Sequence, residues 1–329
     1  MQLLSIPSTL SGVWPYIQIA RVDHWFKNVF MFLGVMVAIF SQPSLFAWAN
    51  VPIVVLGFVA TCLVASSNYV INELLDGPRD RLHPEKRHRP VPSGLVRPEF
   101  AYVEWLVLGL LGMWLAWQVN GPFAMAAASL WIMGIFYNVP PVRTKEWPYL
   151  DVLSESVNNP IRLLLGWFAL IPEKIPPLSL IFAYWMVGAF FMAVKRYAEY
   201  RHIGDKATAA AYRHSFAYYS EESLLLSVLF YTAASALFGG IFIVRYHLEL
   251  ILLVPLVAGV LTYYLKLGLQ PNSPTQHPER LYSEYRFMVY LAFTTVLFVV
   301  LMFTHIPALH DWFGIDALVP KLWTIGAER

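Results

Sequence analysis

The chain has 329 residues, of which 58% are hydrophobic and 13% charged, with a mean hydropathy of +0.54 and a formal net charge of +2. Soluble domains carry about 25% charged residues, so this composition excludes an ordinary soluble domain and indicates an integral membrane protein. The small net charge gives no indication of a nucleic-acid partner. Cys62 is the only cysteine, which excludes an intrachain disulfide and a cysteine-based metal cluster.

Nine apolar segments follow one another, each long enough for a membrane span of roughly 17–25 residues. They cover residues 24–42, 47–76, 98–119, 121–137, 149–170, 177–195, 224–244, 248–268 and 287–304. We predict an all-α, nine-helix bundle that forms one membrane-embedded domain over residues 1–329. No basic residue precedes Arg21, so we expect the first helix to stay in the mature protein. The segment after residue 304, with Trp312, Phe313 and Trp323, is expected at the membrane interface.

Lysines and arginines are distributed unequally between the two sets of loops. Of the 23 basic residues, 18 lie on the side of the N-terminus, four lie on the opposite side, and Arg162 lies within a span. Basic loops remain in the cytoplasm. We therefore predict a multi-pass protein of the inner or plasma membrane, with its N-terminus and its long polar loops in the cytoplasm.

Four polar residues form a stripe where the second apolar segment reaches this cytoplasmic boundary. They are four residues apart and share one face of a helix: Asn68, Asn72, Asp76 and Asp80. Such groups are costly at a membrane unless they line a cavity or bind a ligand, and their oxygens suit Mg²⁺. We predict that Asn72, Asp76 and Asp80 hold Mg²⁺. The alternative is a helix end, with the stripe broken at Pro78.

A basic loop follows directly, over residues 83–90. Its Lys86, Arg87 and Arg89 carry the charges that bind phosphate oxygens. A metal site beside this loop indicates a substrate that bears a diphosphate. The alternative is that the basic residues only determine the orientation in the membrane.

A second polar stripe begins at the same boundary, in the segment 149–170. Steps of four, three and four residues bring its members to one helix face: Asp151, Glu155, Asn158 and Arg162. We predict that Asp151 and Glu155 belong to the same active site as the first stripe. The alternative is a structural network in which Glu155 and Asn158 neutralise Arg162.

Two further groups of polar residues lie at helix ends. Lys195 and Arg196 could bind phosphate or could extend to the membrane surface as an ordinary helix end. Lys27 and Trp25 fit an interfacial anchor, whereas Asn28 is less expected in that position. The nine histidines show no metal-ligand spacing.

These motifs resemble those of the UbiA superfamily of intramembrane prenyltransferases. The segment Asn72-Glu73-x-x-Asp76-x-x-x-Asp80 resembles its first acidic motif, with Glu73 in place of the usual aspartate. The following segment His83-x-x-Lys86-Arg87-x-Arg89-Pro90-x-x-x-Gly94 resembles the family's loop. The segment Asp151-x-x-x-Glu155 resembles the second motif, which is usually Asp-x-x-x-Asp, and Tyr137 and Lys145 match the tyrosine and lysine that precede it.

Three more segments resemble the decaprenyl-phosphate phosphoribosyltransferase branch of that superfamily. They are Arg21-x-x-x-Trp25-x-Lys27-Asn28, Arg162-x-x-x-Gly166, and Lys195-Arg196-x-x-Glu199, which Arg213 and Tyr219 follow. The resemblance implies a Mg²⁺-dependent transfer of 5-phosphoribosyl from phosphoribosyl diphosphate to a polyprenyl phosphate.

The resemblance also implies which residues act in this reaction. The predicted catalytic residues are Asp76, Asp80, Asp151 and Glu155. The predicted substrate-binding residues are Lys27, Asn28, Asn68, Lys86, Arg87, Arg89, Tyr137, Lys145, Arg162, Lys195 and Arg196. One alternative is a prenyltransferase that acts on an aromatic acceptor, and another is a non-catalytic polyprenyl-lipid carrier or transporter. Lipid chain length and oligomeric state, including a homo-oligomer, are left open.

Overall fold

A computed structural model describes residues 12–81, 86–276, 278–313 and 323–324. Thirteen α-helices lie in this part of the chain: α1 Trp14–Ile19, α2 Met31–Ser41, α3 Val51–Asp80, α4 Pro98–Val119, α5 Gly121–Asn138, α6 Leu150–Ser156, α7 Asn158–Phe168, α8 Leu178–Ile203, α9 Lys206–Tyr212, α10 Glu221–Tyr246, α11 Val254–Gly268, α12 Tyr285–Met302 and α13 Pro307–Phe313. The main 3-10 segments are Val22–Phe30, Lys86–His88, Thr144–Glu146, His214–Ala217 and Leu248–Leu253. Two short strands, Lys174–Ile175 and Trp323–Thr324, pair antiparallel. The all-α class is confirmed.

Seven helical segments within the described residues are long and apolar enough to cross a membrane. They are Trp14–Ser41, Trp48–Asp80, Pro98–Val119, Leu178–Ile203, Glu221–Tyr246, Leu248–Gly268 and Tyr285–Met302. These segments support a multi-pass membrane protein, but the predicted count of nine is not confirmed. The helix α5, with 18 residues, is not among these seven segments.

The predicted continuous helix over 149–170 is wrong, because the chain forms α6 and α7 with an interruption at Val157. The four polar residues of the second stripe therefore do not share the face of one regular helix. Residues 154–160 around the interruption read Ser-Glu-Ser-Val-Asn-Asn-Pro, so the sequence carries a local signal, the Asn-Pro pair, that the apolar pattern of the longer segment masked.

The helix α3 is continuous through Pro78 and ends at Asp80. Its 30 residues give a length of about 45 Å, which exceeds the roughly 30 Å of bilayer hydrocarbon. Gly77 lets the loop pack against this end, because a Cβ there would lie 2.8 Å from Val91 Cγ1. The first polar stripe is thus unbroken, and the alternative in which Pro78 breaks it is wrong.

Contacts divide the chain into two compact units, and the prediction of a single domain stays a prediction. The first unit contains residues 1–144 and 161–173. Within it, α3 packs along α4 and α5, and one apolar core contains Val70, Ile71 and Leu74 of α3. Gly166 of α7 brings that helix against α2, since a Cβ at this position would overlap the carbonyl oxygen of Met31.

The second unit contains residues 145–160 and 174–329. Its main contact joins α8 and α10 along their lengths, and α6 and α11 pack against α8. Buried side chains such as Phe190, Val228 and Tyr264 form the core. Near the end of this unit, α13 leaves Trp312 and Phe313 exposed, which fits the predicted interfacial position.

Candidate active site

The carboxylates at the end of α3 are each paired with basic side chains. Arg143 donates from Nη2 to Asp76 Oδ1 at 2.9 Å, and Arg89 donates from Nη1 to Asp80 Oδ2 at 2.8 Å. Lys86 Nζ lies 4.0 Å from Asp80 Oδ1. The first acidic motif and the basic loop, which the sequence predicted to act together, are therefore brought together by the structure. A cluster of two carboxylates and three cations can exchange these ion pairs for a metal ion and phosphate oxygens.

Asn72 lies one turn before Asp76 and has a fixed side chain. Its Nδ2 donates to Asn138 Oδ1 at 2.5 Å, and Asn138 Nδ2 donates to the carbonyl oxygen of Gly134 at 2.8 Å. Because the amide nitrogen is directed at Asn138, the amide oxygen points away from it. That oxygen is the atom that a hard cation requires.

Asn68 joins α3 to α5. Its Nδ2 donates to the carbonyl oxygen of Leu130 at 2.8 Å, and its Oδ1 is buried without a hydrogen-bond partner among the described residues. Gly134 leaves the space for this amide, since a Cβ there would overlap Asn68. The amide thus has a role in helix packing, and its predicted contact with substrate stays a prediction.

Glu73, the departure from the family motif, is directed away from the polar stripe. It is 2% exposed and lies 3.4 Å from both Arg21 Nη2 and the backbone nitrogen of Val91. The side chain therefore connects α3 to the N-terminal segment and to the loop. The longer side chain of Glu73 therefore makes these contacts and is not one of the predicted metal ligands.

The basic side chains of the loop differ in their exposure to solvent. Arg87 is exposed, whereas Lys86 and Arg89 are half-buried beside Asp80. His83, which belongs to the predicted loop motif, lies outside the described residues. The predicted phosphate contact of Arg87 depends on an exposed side chain, while Lys86 and Arg89 already lie at a carboxylate.

Arg162 belongs to a second polar group of the first unit. Its Nε donates to Asn28 Oδ1 at 2.9 Å, and Asn28 Nδ2 lies 3.3 Å from the sulfur of Cys62. The neighbouring Lys27 is half-buried, with Nζ 5.9 Å from the ring centre of Phe26. Asn28, which an interfacial anchor did not explain, is therefore the residue that positions the guanidinium of Arg162.

Tyr137 and Lys145 occupy the segment around the end of α5. Tyr137 is half-buried on the last turn of that helix. Lys145 is 8% exposed in the 3-10 segment Thr144–Glu146. Their predicted roles in substrate binding stay predictions.

Asp151 is the centre of the acidic cluster in the second unit. It is fully buried, with Oδ1 accepting from Tyr219 Oη at 2.7 Å and Oδ2 accepting from Ser215 Oγ at 3.0 Å. The guanidinium groups of Arg196 and Arg213 lie at 3.6 and 3.8 Å from Oδ2. This carboxylate is held by four partners, as expected for a residue that positions its neighbours.

Arg196 connects three carboxylates. It is 1% exposed, and it donates from Nη2 to Glu155 Oε2 at 2.6 Å and from Nη1 to Glu199 Oε2 at 2.8 Å, with Asp151 as the third carboxylate. Lys195 Nζ lies 4.0 Å from Glu199 Oε1. Glu155, Lys195 and Arg213 keep 33%, 21% and 21% of their side chains exposed, so a ligand can reach these members of the cluster.

Tyr219 adds a neutral donor to the cluster. Burial, and then the charge of Asp151, raise the pKa of Tyr219 well above its usual value. The phenol therefore stays protonated and donates a hydrogen bond to Asp151, while its oxygen accepts a hydrogen bond from the backbone nitrogen of Tyr149. Tyr149 has a φ of 65° just before α6, so this bond holds a turn in the left-handed region.

The donor atoms at the end of α3 fit a magnesium ion. Mg²⁺ takes oxygen ligands, usually one or two carboxylates together with substrate phosphates, and Asn72, Asp76 and Asp80 supply an amide and two carboxylates. Asp151 fits less well, because hydrogen bonds already use both of its oxygens.

Sequence reasoning missed three residues of these clusters. Asn138 and Arg143 hold Asn72 and Asp76, and Ser215 holds Asp151. The position of Arg143 at the predicted membrane boundary was a usable signal. Ser215 gave none, since its contact joins positions 64 residues apart.

Comparisons with known proteins found similar sequences and a similar fold. The model of the UbiA prenyltransferase family matches residues 29–291. The decaprenyl-phosphate phosphoribosyltransferase of Mycobacterium tuberculosis is 30% identical over 205 residues, 62% of this chain and 65% of that protein. The enzyme of that name from Mycolicibacterium smegmatis is 31% identical over 185 residues, 56% of each chain. This chain thus spans less than two thirds of the length of the relatives it matches.

A solved structure is similar over most of the fold. The UbiA homolog from Archaeoglobus fulgidus bound to GPP and Mg²⁺ aligns with a TM-score of 0.64 at 20% identity, covering 90% of this chain and 99% of that one. At this identity the likeness extends to the fold alone.

Proposed function

Since the chain belongs to the UbiA prenyltransferase family, it is a membrane-embedded transferase, and we propose that it transfers 5-phosphoribosyl from phosphoribosyl diphosphate to a polyprenyl phosphate. The observation that carries this proposal is the cluster of paired carboxylates and cations at the end of α3. The names of the similar mycobacterial proteins support the same donor and acceptor.

In this proposal Asn72, Asp76 and Asp80 hold Mg²⁺. When bound, the ion would neutralise charge on the leaving diphosphate and thereby lower the barrier. The side chains of Arg143 and Arg89, now paired with the two aspartates, would turn to the remaining phosphate oxygens. These cations start within hydrogen-bond distance of the carboxylates, so a small rotation brings them to a phosphate beside the metal.

The reaction breaks the bond between C1 of the ribose and the diphosphate oxygen, and the electron pair leaves with diphosphate. A phosphate oxygen of the acceptor lipid forms the new bond to C1. A phosphate monoester carries a charge of about −1.5 to −2 at pH 7, so the attacking oxygen needs no general base. Asp151, whose oxygens are both occupied, therefore positions the cluster, while Glu155 and Lys195 are proposed to contact substrate.

The polar group at Asn28 favours this reaction over prenyl transfer to an aromatic acceptor. A phosphoribosyl donor carries a 5-phosphate in addition to its diphosphate, and the polyprenyl acceptor carries a phosphate of its own. Binding these substrates therefore needs more cations than binding those of an aromatic prenyltransferase. We propose that Lys27 and Arg162 supply this additional charge. The unequal distribution of basic loops leads us to propose that the reaction occurs at the cytoplasmic face of the plasma membrane.

The test uses the purified full chain in detergent with Mg²⁺, radiolabelled polyprenyl phosphate and phosphoribosyl diphosphate. We expect a phosphosugar lipid that disappears in Asp76→Asn and persists in the matched control Asp311→Asn, whose side chain is exposed. No phosphosugar lipid, together with turnover of a prenyl diphosphate and an aromatic acid, would assign the chain to the alternative reaction. Equal activity of both variants would remove Asp76 from the mechanism.

A further inference from the structure

A further polar cluster lies in the second unit, at the opposite end of α10 from the Asp151 network. The 26 residues of α10 place it about 39 Å away along the helix. Glu249 is its centre and is 1% exposed. Glu249 Oε1 lies 2.9 Å from His305 Nδ1 and 3.1 Å from His310 Nε2, and Oε2 lies 3.2 Å from His247 Nδ1. We propose that Glu249, His305 and His310, whose ligand atoms all lie within 4.8 Å of one another, bind a transition-metal cation, with Zn²⁺ as the preferred ion.

His247 lies beside the other oxygen of the Glu249 carboxylate. Its Nε2 lies 2.5 Å from the carbonyl oxygen of Leu301, which can only accept, so Nε2 carries a proton. Its Nδ1 lies 3.2 Å from Glu249 Oε2. Carboxylates that bind metals are commonly held by such outer partners, so His247 orients Glu249 with Oε1 facing His305 and His310.

The spacing of the donor atoms fits a tetrahedral ion. Bonds of about 2.0–2.2 Å to zinc separate neighbouring ligand atoms by about 3.3 Å. Glu249 Oε1 lies 2.9 Å from His305 Nδ1 and 3.1 Å from His310 Nε2, and the three ligand atoms all lie within 4.8 Å of one another, so small shifts would admit the ion. Glu249 Oε1 also accepts from the backbone nitrogen of Ile306 at 3.0 Å, which orients the carboxylate.

The four side chains come from two connections that are distant in sequence. His247 and Glu249 lie just after α10, and His305 and His310 lie around the start of α13. This explains why the sequence showed no metal-ligand spacing among its histidines: the pairs are more than 50 residues apart. The ion would tie the connection after α10, which contains Glu249, to the start of α13, where both histidines lie.

The experiment uses the full chain in detergent, without an affinity tag and with excess Mg²⁺ to occupy oxygen-ligand sites. After removal of bound metals with a chelator, the protein is loaded with Co²⁺, and its visible absorption is recorded. We expect the intense d–d bands of tetrahedral cobalt at one ion per chain, displaced by one equivalent of Zn²⁺. The double variant His305→Ala/His310→Ala should lose the bands, while the control His202→Ala, an exposed histidine, should keep them.

Affinity and stability provide a second measurement. Loss of a residue that only hydrogen-bonds to a metal ligand typically lowers metal affinity about 10–100-fold. Glu249 is itself a proposed ligand, so Glu249→Gln should weaken Zn²⁺ binding by at least about 100-fold. Zn²⁺ should raise the unfolding temperature of the wild type but not of this variant. If the double variant does not fold, His305→Asn, which changes a side chain that is 67% exposed, tests the same ligand. No cobalt bands in the wild type, or bands that survive in the variants, would show that protons alone hold this cluster.

Discussion

Replacing Arg196 by methionine should strongly destabilise the second unit. The guanidinium is 1% exposed and faces Asp151, Glu155 and Glu199 at 3.6, 2.6 and 2.8 Å. At these distances each pair contributes an attraction of about 5–6 kcal/mol at an effective dielectric constant of about 20, and the desolvation of the ions offsets most of it. Without Arg196, Asp151 keeps Arg213 and Glu199 keeps Lys195 as a nearby cation, which leaves the cluster with excess negative charge. Breaking a buried pair in this way costs about 3–5 kcal/mol of unfolding free energy.

The assay is a double-mutant cycle in detergent, with unfolding by sodium dodecyl sulfate followed by tryptophan fluorescence. Glu199→Gln removes one carboxylate from the same cluster. In that background Arg196→Met should be less harmful, because the excess negative charge is smaller, and we expect an interaction free energy of about 1–3 kcal/mol. The control is Arg245→Met, which changes a basic residue at the far end of α10.

Two results would refute the reasoning about Arg196. One is a destabilisation below about 1 kcal/mol, the range of exposed ion pairs. The other is the same destabilisation with and without Glu199, since independent sites are additive. Either result would mean that the carboxylates do not depend on the guanidinium for their neutralisation.

Two further substitutions test packing and hydrogen bonding. Tyr219→Phe leaves a buried carboxylate oxygen without its donor, and should lower the unfolding free energy by about 1–3 kcal/mol; the neighbouring Tyr218→Phe, at a side chain 65% exposed, should change it by less than about 0.5 kcal/mol in the same unfolding assay. Gly166→Ala places a methyl group on the backbone of α2 and should abolish a monodisperse peak in size-exclusion chromatography. Gly239→Ala, in open space on α10, should keep that peak and stabilise the helix by up to about 1 kcal/mol; a normal peak for both variants would contradict the close packing at Gly166.

The helix positions could be predicted where the sequence marks both ends. The segment 98–119 matches α4, because Pro98 begins the helix and Asn120, Gly121 and Pro122 follow its end. The interruption at Val157 has a local signal in Asn159 and Pro160, but the partners of α6 could not be predicted, since they lie elsewhere in the chain. Asp151, for example, is held by residues 64 and 68 positions away.

The first polar stripe shows the same limit within the candidate site. Helical periodicity predicted that Asn72, Asp76 and Asp80 share one face, and the continuous helix α3 bears this out. Periodicity describes one helix only, so it could not predict that Asn138 and Arg143 bind this face. Pairs that meet through tertiary contacts require the structure, and the cluster around Glu249 is a second example.

Pro78 has a consequence for the entropy of ligand binding. Its ring fixes φ close to the helical value, so the last turn of α3 has fewer conformations to lose than an ordinary helix end, which frays. Asp80 lies two residues further, in the same last turn of the helix. A ligand that needs Asp76 and Asp80 at a set separation therefore meets them already ordered, and little of its binding free energy is lost in arranging them.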